Sequence, residues 1–224
     1  MRLKRITNMA QQYGFQFDNS YLQLPACFFT RQQPEKAVVP KLALFNEALA
    51  VQLGLDFSCL TDQQKADLFS GNTLLDDAAY YAQAYAGHQY ARFTLLGDGR
   101  ALVLGEHTAP DGNKVDLQFK GSGCTVYSRR GDGKATLGPM LREYIISEAM
   151  YHLGVATTRS LAVVTTGEKV MREEMLPGAV LTRVASSHLR IGTFEYAATQ
   201  QDVSVLQALL DYTVARHYPG LKDS

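Results

Sequence analysis

The sequence predicts an α+β fold, an antiparallel sheet crossed by one long helix. Three features carry that expectation. Short apolar runs separated by turns rich in Gly, Asp and Pro begin at residue 91. Val115, Leu117 and Phe119 alternate with Asp116, Gln118 and Lys120, the period of a strand with one apolar face. Residues 137–153 place Leu137, Met140, Leu141, Tyr144, Ile145, Glu148 and Leu153 at helical spacing.

In chain order, Leu42, Phe45, Leu49 and Leu53 predict a short helix, and Thr61-Asp-Gln-Gln64 is a capping box for a second helix that stops near Gly71. Tyr85-Ala-Gly-His-Gln-Tyr90 reads as a packed aromatic loop. Arg92–Leu96 and Ala101–Gly105 flank Gly97-Asp98-Gly99-Arg100, and Asp-Gly between two apolar runs predicts a hairpin. A turn at 110–113 leads to the alternating third strand, which ends on Lys120. Gly121-Ser-Gly123 and Gly131-Asp132-Gly133-Lys134 connect it to the long helix, with Pro139 in the first turn and Gly154 closing it. Strands resume at Arg159–Thr165, turn at Gly167-Glu168, return through Lys169–Met171 and recur after Pro177-Gly178 as Ala179–Val184. Val203, Leu206, Leu209, Leu210 and Val214 mark a last helix over 203–218. A hairpin, a strand ending in lysine, a long helix and further strands follow the order of the small lobe of a protein kinase.

Composition narrows the function. The 224 residues carry 22 Lys+Arg against 22 Asp+Glu, with 46% hydrophobic residues, so neither disorder nor a strongly basic nucleic-acid binder is expected. Any site for a polyanion must be local. No apolar run reaches the roughly 18 residues of a membrane span, and the basic start Met1-Arg-Leu-Lys-Arg-Ile-Thr7 is not followed by an apolar signal core. Cys27, Cys59 and Cys124 are too far apart for a disulfide framework or a zinc knuckle, and the five histidines lack ligand spacing. A soluble protein of the reducing cytoplasm is expected, with no membrane and no nucleic acid among its partners.

Two glycine-rich turns repeat one pattern: Gly97-Asp98-Gly99-Arg100 and Gly131-Asp132-Gly133-Lys134. Glycines let backbone N–H groups approach phosphate oxygens, and the following cation adds charge. Either copy alone is a weak signal and reads first as the plain turn that Asp-Gly makes without a ligand. Lys120 at a strand end with Glu143 on the next helix matches the arrangement in which an ammonium holds phosphate oxygens and a glutamate orients it. Spacing alone fits a solvated lysine and glutamate as well. Arg183 and Arg190 could grip a phosphate in bidentate fashion. No nucleophile elbow, H-E-x-x-H motif or P-loop is present.

Taken together, Ala84-Tyr-Ala-Gly-His-Gln-Tyr90, Leu96-Gly-Asp-Gly-Arg100, Phe119-Lys-Gly-Ser-Gly123, Tyr127-Ser-Arg-Arg-Gly-Asp-Gly133, Arg142-Glu143, Ser147-Glu-Ala-Met150 and Arg183-Val-Ala-Ser-Ser-His-Leu-Arg190 resemble the SelO family, also called YdiU, from about Asn46 to the end of the chain. The resemblance implies a pseudokinase-like fold. It also implies transfer of AMP from ATP to hydroxyl side chains (Ser, Thr, Tyr) of other proteins, with the nucleotide flipped relative to ordinary kinases. Gly97, Gly99 and Arg100 match the first ATP-contacting turn, Lys120 the phosphate-binding lysine and Glu143 its helix partner. Asp132 and Gly133 match the second turn, and Arg183 and Arg190 the two arginines on the flipped phosphates. Val126, Ser122 and Lys134 depart mildly from the usual proline, alanine and arginine.

Length is the larger departure. The resemblance implies a catalytic aspartate base, and an Asn and an Asp for magnesium (manganese is an alternative), beyond Ser224. It therefore implies the N-terminal half alone: an N-terminal extension over 1–90 packing on the lobe, a kinase-like lobe with the nucleotide site over 91–190, and the start of a linker or C-lobe helix over 191–224, the C-terminal lobe missing. No catalytic or metal-ligating residue is expected within the chain. Weak ATP binding and negligible AMP transfer follow, because nucleotidyl transfer needs a metal to neutralise phosphate charge and an attacking oxygen held in line. The alternative is a non-catalytic nucleotide- or partner-binding module of the same ancestry. A metabolite-phosphorylating small lobe fits the two arginines less well.

Overall fold

A computed structural model describes residues 8–221 of the chain; the basic start at 1–7 and residues 222–224 lie outside the described residues. Its elements are α1 (Met9–Gln12), β1 (Phe29–Arg31), β2 (Lys41–Phe45), α2 (Glu47–Gln52), α3 (Asp62–Ser70), β3 (Tyr81–Gln83), β4 (Ala86–Gln89), β5 (Arg92–Leu95), β6 (Ala101–Thr108), β7 (Lys114–Lys120), α4 (Leu137–His152), β8 (Arg159–Met171), β9 (Met175–Ala185), α5 (Ile191–Thr199) and α6 (Val203–His217). Seven strands form one antiparallel sheet in the order β1-β3-β6-β7-β9-β8-β2, and β4 and β5 pair apart from it. The α+β class expected from the sequence is the class observed. Three strands of the large sheet, β1, β2 and β3, come from the first ninety residues.

Local signals act as the sequence suggested where they are short in range. Thr61 and Gln64 form the capping box of α3, and Gly71 ends it at φ +86. β7 alternates as expected, and α4 begins with Pro139 in its first turn and is followed by Gly154 at φ +77. Met140 of α4 is buried, and with Leu141 and Tyr144 beside it the helix packs on Val163, Ala179 and Leu181 of β8 and β9. Ile145 and Leu153 of the same predicted stripe stay 59% and 78% exposed, because α4 lies on the sheet along a narrower seam than its apolar positions span.

Five expectations need correction. The segment 42–53 is not one helix: β2 runs to Phe45, and Asn46 caps α2 by accepting from the Leu49 N–H at 3.0 Å. The 85–90 segment is not a loop but contains β4. The hairpin across Gly97–Arg100 does not exist, since β5 pairs with β4 whereas β6 pairs with β3 and β7. Asp98 in that segment is buried and accepts from the Gln83 N–H at 3.2 Å and from Gln118 Nε2 at 3.3 Å. Gly167-Glu168 does not reverse the chain. β8 continues through it by a register shift between Thr165 and Lys169, and Pro177-Gly178 sits inside β9, whose hairpin closes near 172–174. Finally, α5 has no counterpart among the predicted elements.

The core lies on both sides of the sheet. One cluster joins Phe57, Phe69, Leu117, Phe119, Leu161 and Val164, among others, under α2 and α3. A second joins Tyr21, Phe28, Tyr81 and Val103 to Ala197 of α5 and Leu209 of α6. A buried ionic group secures α6. Arg216, 5% exposed, lies 3.0 Å from Glu106 on β6 and 2.5 Å from Asp116 on β7, and it also donates to the Ser186 carbonyl and to Tyr212. Burial would raise the Asp116 carboxyl, but His188 and Arg216 outweigh it and hold the group below the ordinary aspartate range.

Candidate functional site

The end of β7 meets the N-terminal half of α4 and the middle of β9, and there the scattered cations converge. Lys120 sits at the end of β7 because the strand's alternation puts Gln118 and Lys120 on one face and Leu117 and Phe119 in the core. β9 pairs with β7 so that Gln118 faces Arg183 and Lys120 faces Leu181. Glu143, two turns into α4, reaches down between them: its carboxylate accepts from the Lys120 ammonium and, at 2.5 Å, from Arg183 Nε. Burial would raise Glu143, but Arg183 and Lys120 together hold it below the ordinary glutamate range. Burial and then the Arg183 guanidinium press the Lys120 pKa below the usual lysine value, against the pull of Glu143.

A cleft of about 590 Å³ opens beside this pair, within the size range of small-molecule sites. Arg100, Lys120, Arg142 and Arg172 line it, with Glu173 and Glu174 of the β8–β9 turn as its carboxylates. Among the described residues, the guanidiniums of Arg100 and Arg142 have no hydrogen-bond or ionic partner. Cations therefore outnumber carboxylates, and two of them are free to meet an anion. The set suits phosphate oxygens. Among the described residues no group of three or more His, Cys, Asp and Glu is arranged to hold a metal ion.

The two glycine turns differ. Gly97, at φ +72, lies under Tyr127, whose ring would be 2.3 Å from an added Cβ; a Cβ on Gly99 would meet the Tyr127 carbonyl at 2.8 Å. Thr125 Oγ1 donates to the Asp98 carbonyl at 2.7 Å, and Ser128 Oγ donates to that of Gly99. The 125–128 loop thus folds over this turn, and protein packing alone requires both glycines. The second turn is braced from below. Gly133, at φ +65, leaves no room for a Cβ against the Gly123 carbonyl at 2.0 Å. Asp132 takes Arg172 at 2.7 and 3.0 Å, which holds its carboxyl below the ordinary range, and Lys134 donates to Glu168 at 2.7 Å.

Of the residues singled out in the sequence, Lys120, Glu143 and Arg183 are in direct contact, Arg100 shares the cleft with Lys120, and Asp132 reaches the cleft through Arg172. Gly97 and Gly99 form the turn that precedes Arg100, and Gly133 packs against Gly123. Arg190, at the start of α5, stacks on Tyr85 with its guanidinium carbon 4.7 Å from the ring centre and lies 3.9 Å from Asp98. Arg142 and Arg172 line the cleft and Gln118 contacts Arg183, in addition to the residues that the sequence singles out. Gln118 had a legible signal, since it shares the polar strand face with Lys120. Arg172 had none, because only the long β8–β9 hairpin brings it to the cleft.

Comparison with known proteins agrees with the resemblance and extends it. The family model described as "Protein adenylyltransferase SelO" matches residues 11–224, so the match reaches well ahead of Asn46. A protein of Nitrosococcus oceani named "Protein nucleotidyltransferase YdiU" is 60% identical over 214 residues, covering 96% of this chain and 43% of its own length. Proteins of the same name from Geobacillus kaustophilus and Clostridium botulinum are 59% identical over 211 residues and 60% identical over 205, covering 44% and 42% of their own lengths. The chain thus spans less than half the length of these curated relatives.

Proposed function

The chain belongs to the SelO family, and from that membership together with its cation-lined cleft we propose that it is the ATP-gripping part of a protein adenylyltransferase, acting in the cytoplasm. The observation that carries this reading is the meeting of Lys120, Glu143 and Arg183 beside a cleft in which Arg100 and Arg142 are unpaired among the described residues. In this reading the polyphosphate of ATP lies against Lys120, Arg100 and Arg183, with Arg190 at the outer edge. Glu143 keeps the lysine and the arginine apart from each other and oriented toward the anion. The folded 125–128 loop holds the turn that carries Arg100 in one conformation before ATP arrives, which lowers the ordering cost of binding.

The proposed reaction joins AMP to a hydroxyl side chain of a protein substrate and releases pyrophosphate. Magnesium, or manganese in its place, would neutralise phosphate charge in that step. The described residues supply the cationic grip. They donate to phosphate oxygens that become more negative as the bond to pyrophosphate breaks, the form of stabilisation expected in phosphoryl and nucleotidyl transfer.

Calorimetric titration of the chain with ATP tests the reading. The expected result is saturable binding that Lys120→Ala abolishes while the thermal melt persists. Equal ATP affinity in wild type and Lys120→Ala would refute the assignment.

A further inference from the structure

Glu143 joins Lys120 to Arg183, but a second link extends from Arg183. Its Nη1 donates to Gln118 Oε1 at 3.1 Å, and Gln118 Nε2 donates to Asp98 Oδ2 at 3.3 Å. Asp98 Oδ1 lies 3.9 Å from Arg190 Nη2, and the Arg190 guanidinium is stacked on Tyr85. Lys120, Glu143, Arg183, Gln118, Asp98 and Arg190 therefore form one continuous chain of polar contacts across β7, β9, α4, the turn before β6 and the start of α5. Gln118 is fully buried and Asp98 only 4% exposed. Of the six, only Lys120 lines the cleft.

Burying a carboxylate and an amide is unfavourable unless each polar atom is matched. Here each match is also a constraint on an arginine. The Gln118 amide is oriented by its two neighbours, since its oxygen must face Arg183 and its nitrogen Asp98. Asp98 is fixed in turn by the Gln83 N–H at 3.2 Å, leaving its other oxygen toward Arg190. Apolar residues at 98 and 118 would fill the same space without directing either guanidinium.

We propose that Gln118 and Asp98 are positioning residues that set Arg183 and Arg190 in register for one polyphosphate, so that the two arginines act as a single clamp. This rests on the ATP-binding reading above. Burial raises the Asp98 carboxyl above the ordinary aspartate range, and His188 and Arg190 offset this only in part.

The test is a pair of double-mutant cycles on the 224-residue chain, read by calorimetry with ATP and with inorganic tripolyphosphate. Gln118→Met and the isosteric Asp98→Asn should each weaken both ligands by the same factor, about tenfold, the scale of one lost charge-assisted bond. In an Arg183→Ala background Gln118→Met should cause no further loss, and likewise Asp98→Asn in an Arg190→Ala background. A purely structural role would give additive losses in these backgrounds, which overturns the proposal. So would unchanged affinity in both single variants, while leaving ATP binding itself intact. If Gln118→Met does not fold, the Asp98→Asn cycle decides alone. Failure of the wild-type chain to bind either ligand overturns this proposal together with the functional reading.

Discussion

Glu143 of α4 accepts from Lys120 of β7 while its other oxygen takes Arg183 of β9 at 2.5 Å, so one carboxylate ties a helix to two neighbouring strands. The three side chains are 13–25% exposed, and the cost of removing the shared anion is therefore larger than for a surface pair.

Glu143→Gln should leave two cations facing each other with one neutral acceptor. The expected loss is about 1–3 kcal/mol, below the value for a fully buried pair because water still reaches the site. Urea unfolding of the variant beside wild type measures it. A further Lys120→Met change should recover part of the loss, since it removes the repulsion with Arg183.

The same carboxylate sets an acid dependence. Glu143 has a folded-state pKa below its unfolded value, so the unfolded chain binds its proton first as pH falls. Its contribution is complete above the ordinary glutamate pKa of about 4.3 and disappears as pH drops through the depressed folded value. Unfolding free energy measured from pH 6 downward should fall more steeply in wild type than in Glu143→Gln. Parallel curves would count against a depressed Glu143.

Gly97→Ala should be much more harmful than Gly112→Ala. Both positions have positive φ, +72 and +83, and both variants carry the strain of that backbone. At Gly112 a Cβ meets nothing within 4 Å, whereas at Gly97 it would be 2.3 Å from the Tyr127 ring. Losses of about 1 kcal/mol at Gly112 and more than twice that at Gly97 are expected in denaturant titrations.

Arg216→Met should detach α6. It leaves Glu106 and Asp116, 0% and 3% exposed at their side chains, without the cation that lies between them, a change worth about 3–5 kcal/mol. Hydrogen exchange should rise across Val203–His217 before it rises in β6 and β7. Uniform acceleration over the whole sheet would instead place α6 inside the same cooperative unit.

The legible parts of the fold were those decided within a few residues. The capping box of Thr61 and Gln64, the alternation of β7 and the periodicity of α4 are local, and each formed where its pattern stood. Turn signals were less reliable, because Asp-Gly at 98–99 is compatible with a hairpin and equally with a tight bend whose aspartate is drawn inward by Gln83 and Gln118. That choice depends on donors far away in sequence. α5 is not announced locally because its N-cap is Arg190, not Ser, Thr, Asp or Asn, and it packs close to the backbone of β4.

Local periodicity and motifs read in order are enough for the class of the fold, the family and the candidate cations. Tertiary structure alone decided which of those cations share an anion. β7 pairs with β9 so that Gln118 lies opposite Arg183, and α4 crosses where Glu143 reaches both Lys120 and Arg183. Register is fixed by burial of the alternate face, a sum over many weak contacts along the whole sheet, and no single residue in the string announces it.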